Sequence, residues 1–283
     1  MKQPHTEAAL LTAPAHSALV TAMPWQNWRS ATSARIALGR AGVSIPSDEA
    51  LRFGLAHAMA RDAIHQALDV QALKAQLEQA GHRVVSARSC APDRSSYLRR
   101  PDLGRQLDPT DLDALRRLAT RFERSPDLAL VIGDGLSSLA VQRHALPLLQ
   151  ALLPRLAGGT QLAPIVVVQQ ARVAVADDVG EALKARLCVI LIGERPGLSS
   201  PDSLGIYLTH APRRGRHDAE RNCISNVRPE GLAYEVAAHK LAWLMTRAFA
   251  IGQSGIALKD ESDDPDLQSP STPAALQAPD NPR

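Results

Sequence analysis

CVILIGERPGLSS runs from Cys188 to Ser200. Its first five residues are a continuous apolar run. A strand with one wet face would alternate apolar and polar residues, so this one reads as buried on both faces. The run then breaks into a charged pair, Glu194–Arg195, and a Pro196–Gly197 turn. A buried strand that opens into a polar turn is the repeating unit of an α/β sheet. In such sheets ligands bind just beyond the carboxyl ends of the strands.

Segments on either side repeat the pattern. LALVI (128–132) is a second apolar run, and it leads into GDGLSS and a helix through Leu146. IVVVQ (165–169) is another, RVAVA (172–176) reads as a short strand, and IYLTHA (206–211) as a further one. Between them lie helical stretches. DPTDLDALRRLATRF has Asp108 as cap and Pro109 at the first helical position, where a missing N–H is harmless. DDVGEALKARL and YEVAAHKLAWLMTRAFA follow. Apolar strands alternating with helices predict an α/β fold with a mainly parallel, Rossmann-like sheet covered by helices.

Upstream the character differs. SDEALRFGLAHAMARDAIHQALD predicts a long helix capped by Ser47, with Phe53, Ala56, Ala60, Ile64 and Leu68 on one face and Leu51 and Leu55 widening it. Its expected partner is VQALKAQLEQAG, ended by Gly81. The expected organisation is a flexible segment over 1–25, a small helical domain over 26–96 and an α/β domain over 97–259. An acidic, Pro-rich tail over 260–283 has too little apolar surface to offset its ordering entropy.

Composition removes several classes. With 32 basic and 29 acidic residues the net charge is +3, too small to argue for nucleic acid. Cys90, Cys188 and Cys223 form neither a disulfide framework nor a close-spaced zinc motif, which suits a reducing cytoplasm. No apolar run reaches membrane-spanning length, and the N-terminus makes a poor signal peptide. His57 and His65 stand eight apart without further ligands, so no metal site is expected. The dinucleotide fingerprint, the phosphate-binding loop and the serine-nucleophile elbow are all missing.

What remains is a short set of candidates. Glu194 is either a ligand acceptor or a solvated partner of Arg195. Cys223 sits among polar residues with no base placed near it in sequence, and reads as a small buried residue lining a turn in preference to a nucleophile. Arg213, Arg214, Arg216, Arg221 and Arg228 make a basic patch around Gly215, either phosphate-binding or an exposed loop. A cleft without acid–base machinery favours a subunit that holds something while another chain does the chemistry. A nucleotide-dependent enzyme, a stand-alone hydrolase and a regulatory module are the competing classes.

Several stretches, in order, resemble one family: ARIALGRAG (34–42), LRFGLAHAMARDAIH (51–65), YLRRPDLGRQL (97–107), LALVIGDGLSS (128–138), CVILIGERPGLSSPDSLGIYLTHAPR (188–213), RNCISN (221–226) and SGIALKDE (254–261). Together they resemble the small, or light, subunit of ethanolamine ammonia-lyase, from about Ala31 to Glu261. GERPGL and RNCISN are the most specific pieces. The resemblance implies an adenosylcobalamin-dependent ammonia-lyase that converts ethanolamine to acetaldehyde and ammonia by radical chemistry. It implies a large-subunit partner that supplies most ethanolamine contacts, in a complex of six large and six small subunits. It places three cofactor contacts on Val173, Glu194 and Cys223, with no catalytic residue and no metal ligand in this chain. Glu194 is then an acceptor for corrin amides, while Val173 and Cys223 shape the wall. A cytoplasmic location follows, with a bacterial microcompartment as a further placement.

Overall fold

The computed structural model describes residues 19–262. The predicted flexible segment lies mostly outside them, as does the tail beyond Ser262. Asp260 and Ser262, the first tail residues described, are bonded to the last helix through Lys240 and His239. The chain divides into two compact units, with the boundary after Ala56.

Among the described residues of the first unit only Ala37, Pro46 and Glu49 are buried. The Glu49 carboxylate accepts from Arg29 at 2.6 Å and from Arg52 at 3.2 Å. Helix α1 spans Ser47–His65 and stops four residues short of the predicted run, leaving Leu68 outside it. Its expected apolar face is largely open: Leu51, Phe53, Leu55 and Met59 are exposed, and burial is confined to small residues such as Ala60 and Ala63.

The second unit is built on one six-stranded sheet. Its strands are β1 (Val84–Arg88), β2 (Leu128–Gly133), β3 (Ile165–Gln169), β4 (Leu187–Gly193), β5 (Leu204–His210) and β6 (Arg221–Val227), in the order β1-β3-β2-β4-β5-β6. The first four are parallel; β5 and β6 run antiparallel. The fold is therefore α/β with a mixed sheet, and the expected parallel arrangement holds for β1 to β4. Antiparallel β5 follows β4 through a loop too short for a helical crossover.

Helices cover both faces. Helices α2 (Val70–Gln79), α5 (Ser138–Leu152) and α7 (Tyr234–Ile251) pack on one face, around Leu130, Ile132, Val167 and Leu191. Helices α4 (Pro109–Ala119) and α6 (Val175–Ala182) pack on the other, around Val131, Val166, Val168 and Ile190. Both faces of β2 are thus dry, which is why its sequence shows no polar alternation. Asp108 caps α4 as predicted, accepting from the Thr110 N–H at 2.9 Å. Helix α2 packs on β1, β3 and α5 and so belongs to the sheet layer.

Two local readings are corrected, and two strands that were not anticipated are added. RVAVA is no strand: residues 172–174 turn into α6. Gln170 takes a left-handed conformation, and the Asp134 carboxylate accepts from the Gln170 and Ala171 N–H groups at 2.9 and 2.8 Å. Those donors are thereby withdrawn from any ladder. Helix α5 continues past Leu146 through Pro147 to Leu152, where Leu148, Leu149 and Leu152 are buried and outweigh the lost backbone bond. The polar RNCISNV forms an edge strand, as does β1; neither needs two apolar faces.

Candidate functional site

Successive crossovers turn the chain to opposite faces after β2 and after β3, because α5 and α6 lie on different sides of the sheet. That leaves a crevice at the carboxyl ends of the strands, the place where open α/β sheets bind ligands. Two glycines bring its walls together. Gly135 (φ 57°) and Gly193 pack so closely that a methyl on either would strike the backbone of the other turn, and the Leu136 N–H donates to the Gly193 carbonyl at 2.9 Å. The result is an open cleft of about 140 Å³, lined by Tyr97, Leu136, Arg172, Val173, Glu194 and Tyr207 among others.

Helix α3 (Arg94–Arg99) contributes the fully buried Tyr97, whose hydroxyl donates to the Ala171 carbonyl at 2.9 Å. Two guanidinium groups flank its ring, Arg94 at 4.7 Å and Arg172 at 4.3 Å. Such stacking is attractive because the ring face is electron-rich. Arg94 also donates to the Ile64 and Gly135 carbonyls at 2.7 and 2.8 Å. Asp134 is buried beneath this cluster. Burial holds its carboxyl above the ordinary value, against the opposing pull of the N–H donors and Arg94.

Glu194 follows the last residue of β4. Its carboxylate accepts from the Ser203 hydroxyl, and at 3.2 Å from the Asn226 N–H. Gly205 makes room for it: a methyl there would lie 3.0 Å from Glu194 Oε1. A carboxylate has about four acceptor positions, so two such donors leave capacity facing the cleft. Tyr207, next along the wall, is half-buried. Burial first, then the neighbouring Cys223 and Glu194, raises its phenol above the usual range.

Two of the three sequence-predicted contacts, Val173 and Glu194, line the same cleft. Cys223 lies one strand further out, opposite Tyr207 in the β5–β6 ladder. It is exposed, against the expected burial, with its Sγ 3.3 Å from Ser225 Oγ. Sequence reasoning missed Tyr97, Arg172 and Tyr207 as wall residues; the signal was that Tyr97 and Tyr207 both fall within resemblance segments.

The basic patch around Gly215 is largely tied up. Arg214 pairs with Asp178 at 2.6 Å, Arg216 with Glu220, and Arg228 with Asn226 at 3.0 Å and Glu230 at 3.6 Å. Arg221 is buried in a bidentate pair with Asp177, both bonds 2.7 Å. Among the described residues no group of three or more His, Cys, Asp or Glu is gathered as a metal site, and no helix is long and apolar enough to cross a membrane.

Fold and cleft together define a class: an α/β protein with a shallow crevice at its strand ends and no nucleophile–base pair among the residues lining it. Comparison with known proteins narrows this. The family model described as ethanolamine ammonia-lyase light chain matches residues 22–259. An ethanolamine ammonia-lyase small subunit from Ralstonia nicotianae is 56% identical over 253 residues, covering 89% of this chain and 94% of the relative. The corresponding subunit of Azotobacter vinelandii is 58% identical over 244 residues, 86% of this chain and 90% of its own length. That of Pseudomonas syringae pv. tomato is 52% identical over 261 residues, 92% and 88%. The chain belongs to the ethanolamine ammonia-lyase light-chain family. It is thus one component of a lyase complex, whose other component is a large subunit.

Proposed function

We propose that this chain holds adenosylcobalamin against the large subunit through the cleft at its strand ends. The observation that carries the reading is the meeting of Val173 and Glu194, 21 positions apart in sequence, in one crevice, with Cys223 on the adjoining strand. The residues fit the group. A corrin rim carries amides, whose N–H groups donate, and the cleft offers the Glu194 carboxylate as acceptor. Gly135 and Gly193 let its two turns approach closely, since a methyl on either would strike backbone. A cleft of about 140 Å³ takes only part of so large a molecule, in keeping with a site shared between two chains.

When bound, the cofactor supplies the radical chemistry by which ethanolamine becomes acetaldehyde and ammonia. The role of this chain is to hold and shield. Glu194, braced by Ser203 and Asn226, accepts from amides. Val173 and the Tyr207 ring exclude water from the wall. Cys223 shapes the outer edge without acting as a nucleophile. No side chain of the cleft serves as general base, and ethanolamine itself is bound mainly by the large subunit. On this reading the complex contains six large and six small subunits and works in the cytoplasm, with packaging in a bacterial microcompartment as the second placement to test.

The test is to produce the chain together with a large subunit. Cobalamin-dependent ammonia release should need both, and Glu194→Ala should weaken cobalamin binding by roughly 1–3 kcal/mol, the cost of an unsatisfied buried polar group. Full activity of the large subunit alone, or superimposable cobalamin titrations for parent and variant, removes the role.

A further inference from the structure

Charge at the cleft is not balanced. Arg172 lines it, yet pairs with no carboxylate among the described residues. Its guanidinium stacks on Tyr97, gives one long bond of 3.5 Å to the Tyr97 carbonyl, and leaves its buried Nε without an acceptor. Arg94 Nη2 and Gln170 Oε1, both buried and both beside the same turn, also lack partners. On the opposite wall stands Arg195, exposed and next to Glu194. The one carboxylate lining the cleft is Glu194, which accepts from Ser203 and Asn226 and makes no ion pair with either arginine. Two cations therefore face a crevice in which no carboxylate is paired with them. The arginines of the Gly215 loop show the contrast, since Arg214, Arg216, Arg221 and Arg228 all have acidic partners.

Guanidinium groups in a partly desolvated cleft favour anionic oxygens over neutral ones, because charge-assisted bonds are the stronger. We propose that Arg172 and Arg195 bind a phosphodiester of the ligand seated in this cleft. Resting on the reading above, that group is the phosphodiester of the cobalamin nucleotide loop. Glu194 and the two arginines then divide the ligand, the carboxylate taking amide N–H groups and the cations taking the phosphate. Arg172 is held ready by the Tyr97 stack and by the turn that Asp134 clamps. Arg195 reaches the same space from the turn after β4.

The experiment uses the assembled complex of large and small subunits and two corrinoids that differ by one phosphate, cobinamide and cobinamide phosphate. Binding is read from the shift of the corrin absorption spectrum, with no turnover required. The parent complex should bind the phosphate-bearing corrinoid about tenfold or more tightly, the size of a charge-assisted contact. Arg172→Gln should remove most of that preference and leave cobinamide binding unchanged, while Arg172→Lys should restore part of it. Arg195→Gln, on an exposed turn where folding is not at stake, should reduce the preference by a smaller factor. A preference that survives in the double Gln variant, or no preference in the parent, overturns the assignment. So does an Arg172→Gln variant that weakens both corrinoids alike, which would make Arg172 a brace of the wall. If the large subunit alone binds both corrinoids as tightly as the complex, the cofactor-holding reading itself fails. If cobinamide binding needs this chain but ignores the phosphate, only the present inference fails.

Discussion

The sheet has two edges, and each carries a cleft with arginines in it. At the amino edge Arg124, Arg155 and Arg186 line a cavity of about 300 Å³. Every one is tied down. Arg124 and Arg186 converge on Asp127 at 3.3 and 3.1 Å, and Arg155 reaches Glu235 at 2.6 Å. At the carboxyl edge the cavity is about half that size, and Arg172 has no acidic partner among the described residues. The larger cavity is therefore the bracing one. What separates the two sets of arginines is whether the protein neutralises them, and cavity size carries no such information.

The sharpest way to break this comparison is to strip a braced arginine of its partner. Arg221 and Asp177 are both almost fully buried. Asp177→Ala leaves a buried guanidinium without its counter-ion and should cost about 3–5 kcal/mol of stability. Thermal unfolding of the purified complex measures it; a midpoint equal to the parent's would mean that the pair braces nothing. Next in size is Gly205→Ala. The added methyl makes the Glu194 carboxylate give by a few tenths of an ångström and should cost about 1 kcal/mol in cobalamin affinity, less than Glu194→Ala. Unchanged affinity with an intact fold would detach Glu194 from the ligand.

Smaller effects are expected from the amino edge. Arg124→Ala removes an exposed ion pair and should shift stability by no more than about 1 kcal/mol. Corrinoid binding should stay the same, and any loss there would make the amino-edge cleft a second ligand site.

The most delicate contrast is in pH. Asp127, at the amino edge, is held below its ordinary value of 3.8, first by the Gln161 N–H and, against burial, by Arg186 and Arg124. Its contribution to stability is present above that value and is lost as pH falls through the lower, folded one. Asp134, at the carboxyl edge, is shifted upward by burial. Its contribution is complete below 3.8 and is lost as pH rises through the raised value. Melting curves across the acid range should therefore move in opposite senses in Asp127→Asn and Asp134→Asn relative to the parent. Parallel profiles for the two variants would contradict the assignment of opposite environments.

Much of this could be read from neighbouring residues alone. The buried strands β2, β3 and β4 announce themselves by apolar runs, because burial on both faces leaves no polar alternation. Asp108 and Pro109 mark the start of α4, since a helix start leaves donors that only a side chain within a few positions can satisfy. Glu194 was expected at the strand end because it lies in the turn after a buried apolar run, and the fold places it in the cleft there. Edge strands β1 and β6 escaped notice, as partial exposure permits any polarity. Leu51, Phe53 and Leu55 were expected to be covered, since periodicity reports an apolar face but not what meets it.

Arg172 marks the limit of local reading. In sequence it is one of many arginines, less conspicuous than the cluster at 213–228. Whether an arginine is free depends on which carboxylates the fold brings within about 4 Å. Those partners come from far along the chain: Asp177 for Arg221, Asp178 for Arg214 and Asp127 for Arg186, each 36 to 59 positions away. The sequence by itself determined the buried strands, the α4 cap, the family and the place of the cleft, all set by near neighbours or by ordered motifs. The tertiary structure alone decided which charges are spent on the scaffold and which remain for a ligand, because charge pairing acts through space between residues that the chain order keeps apart.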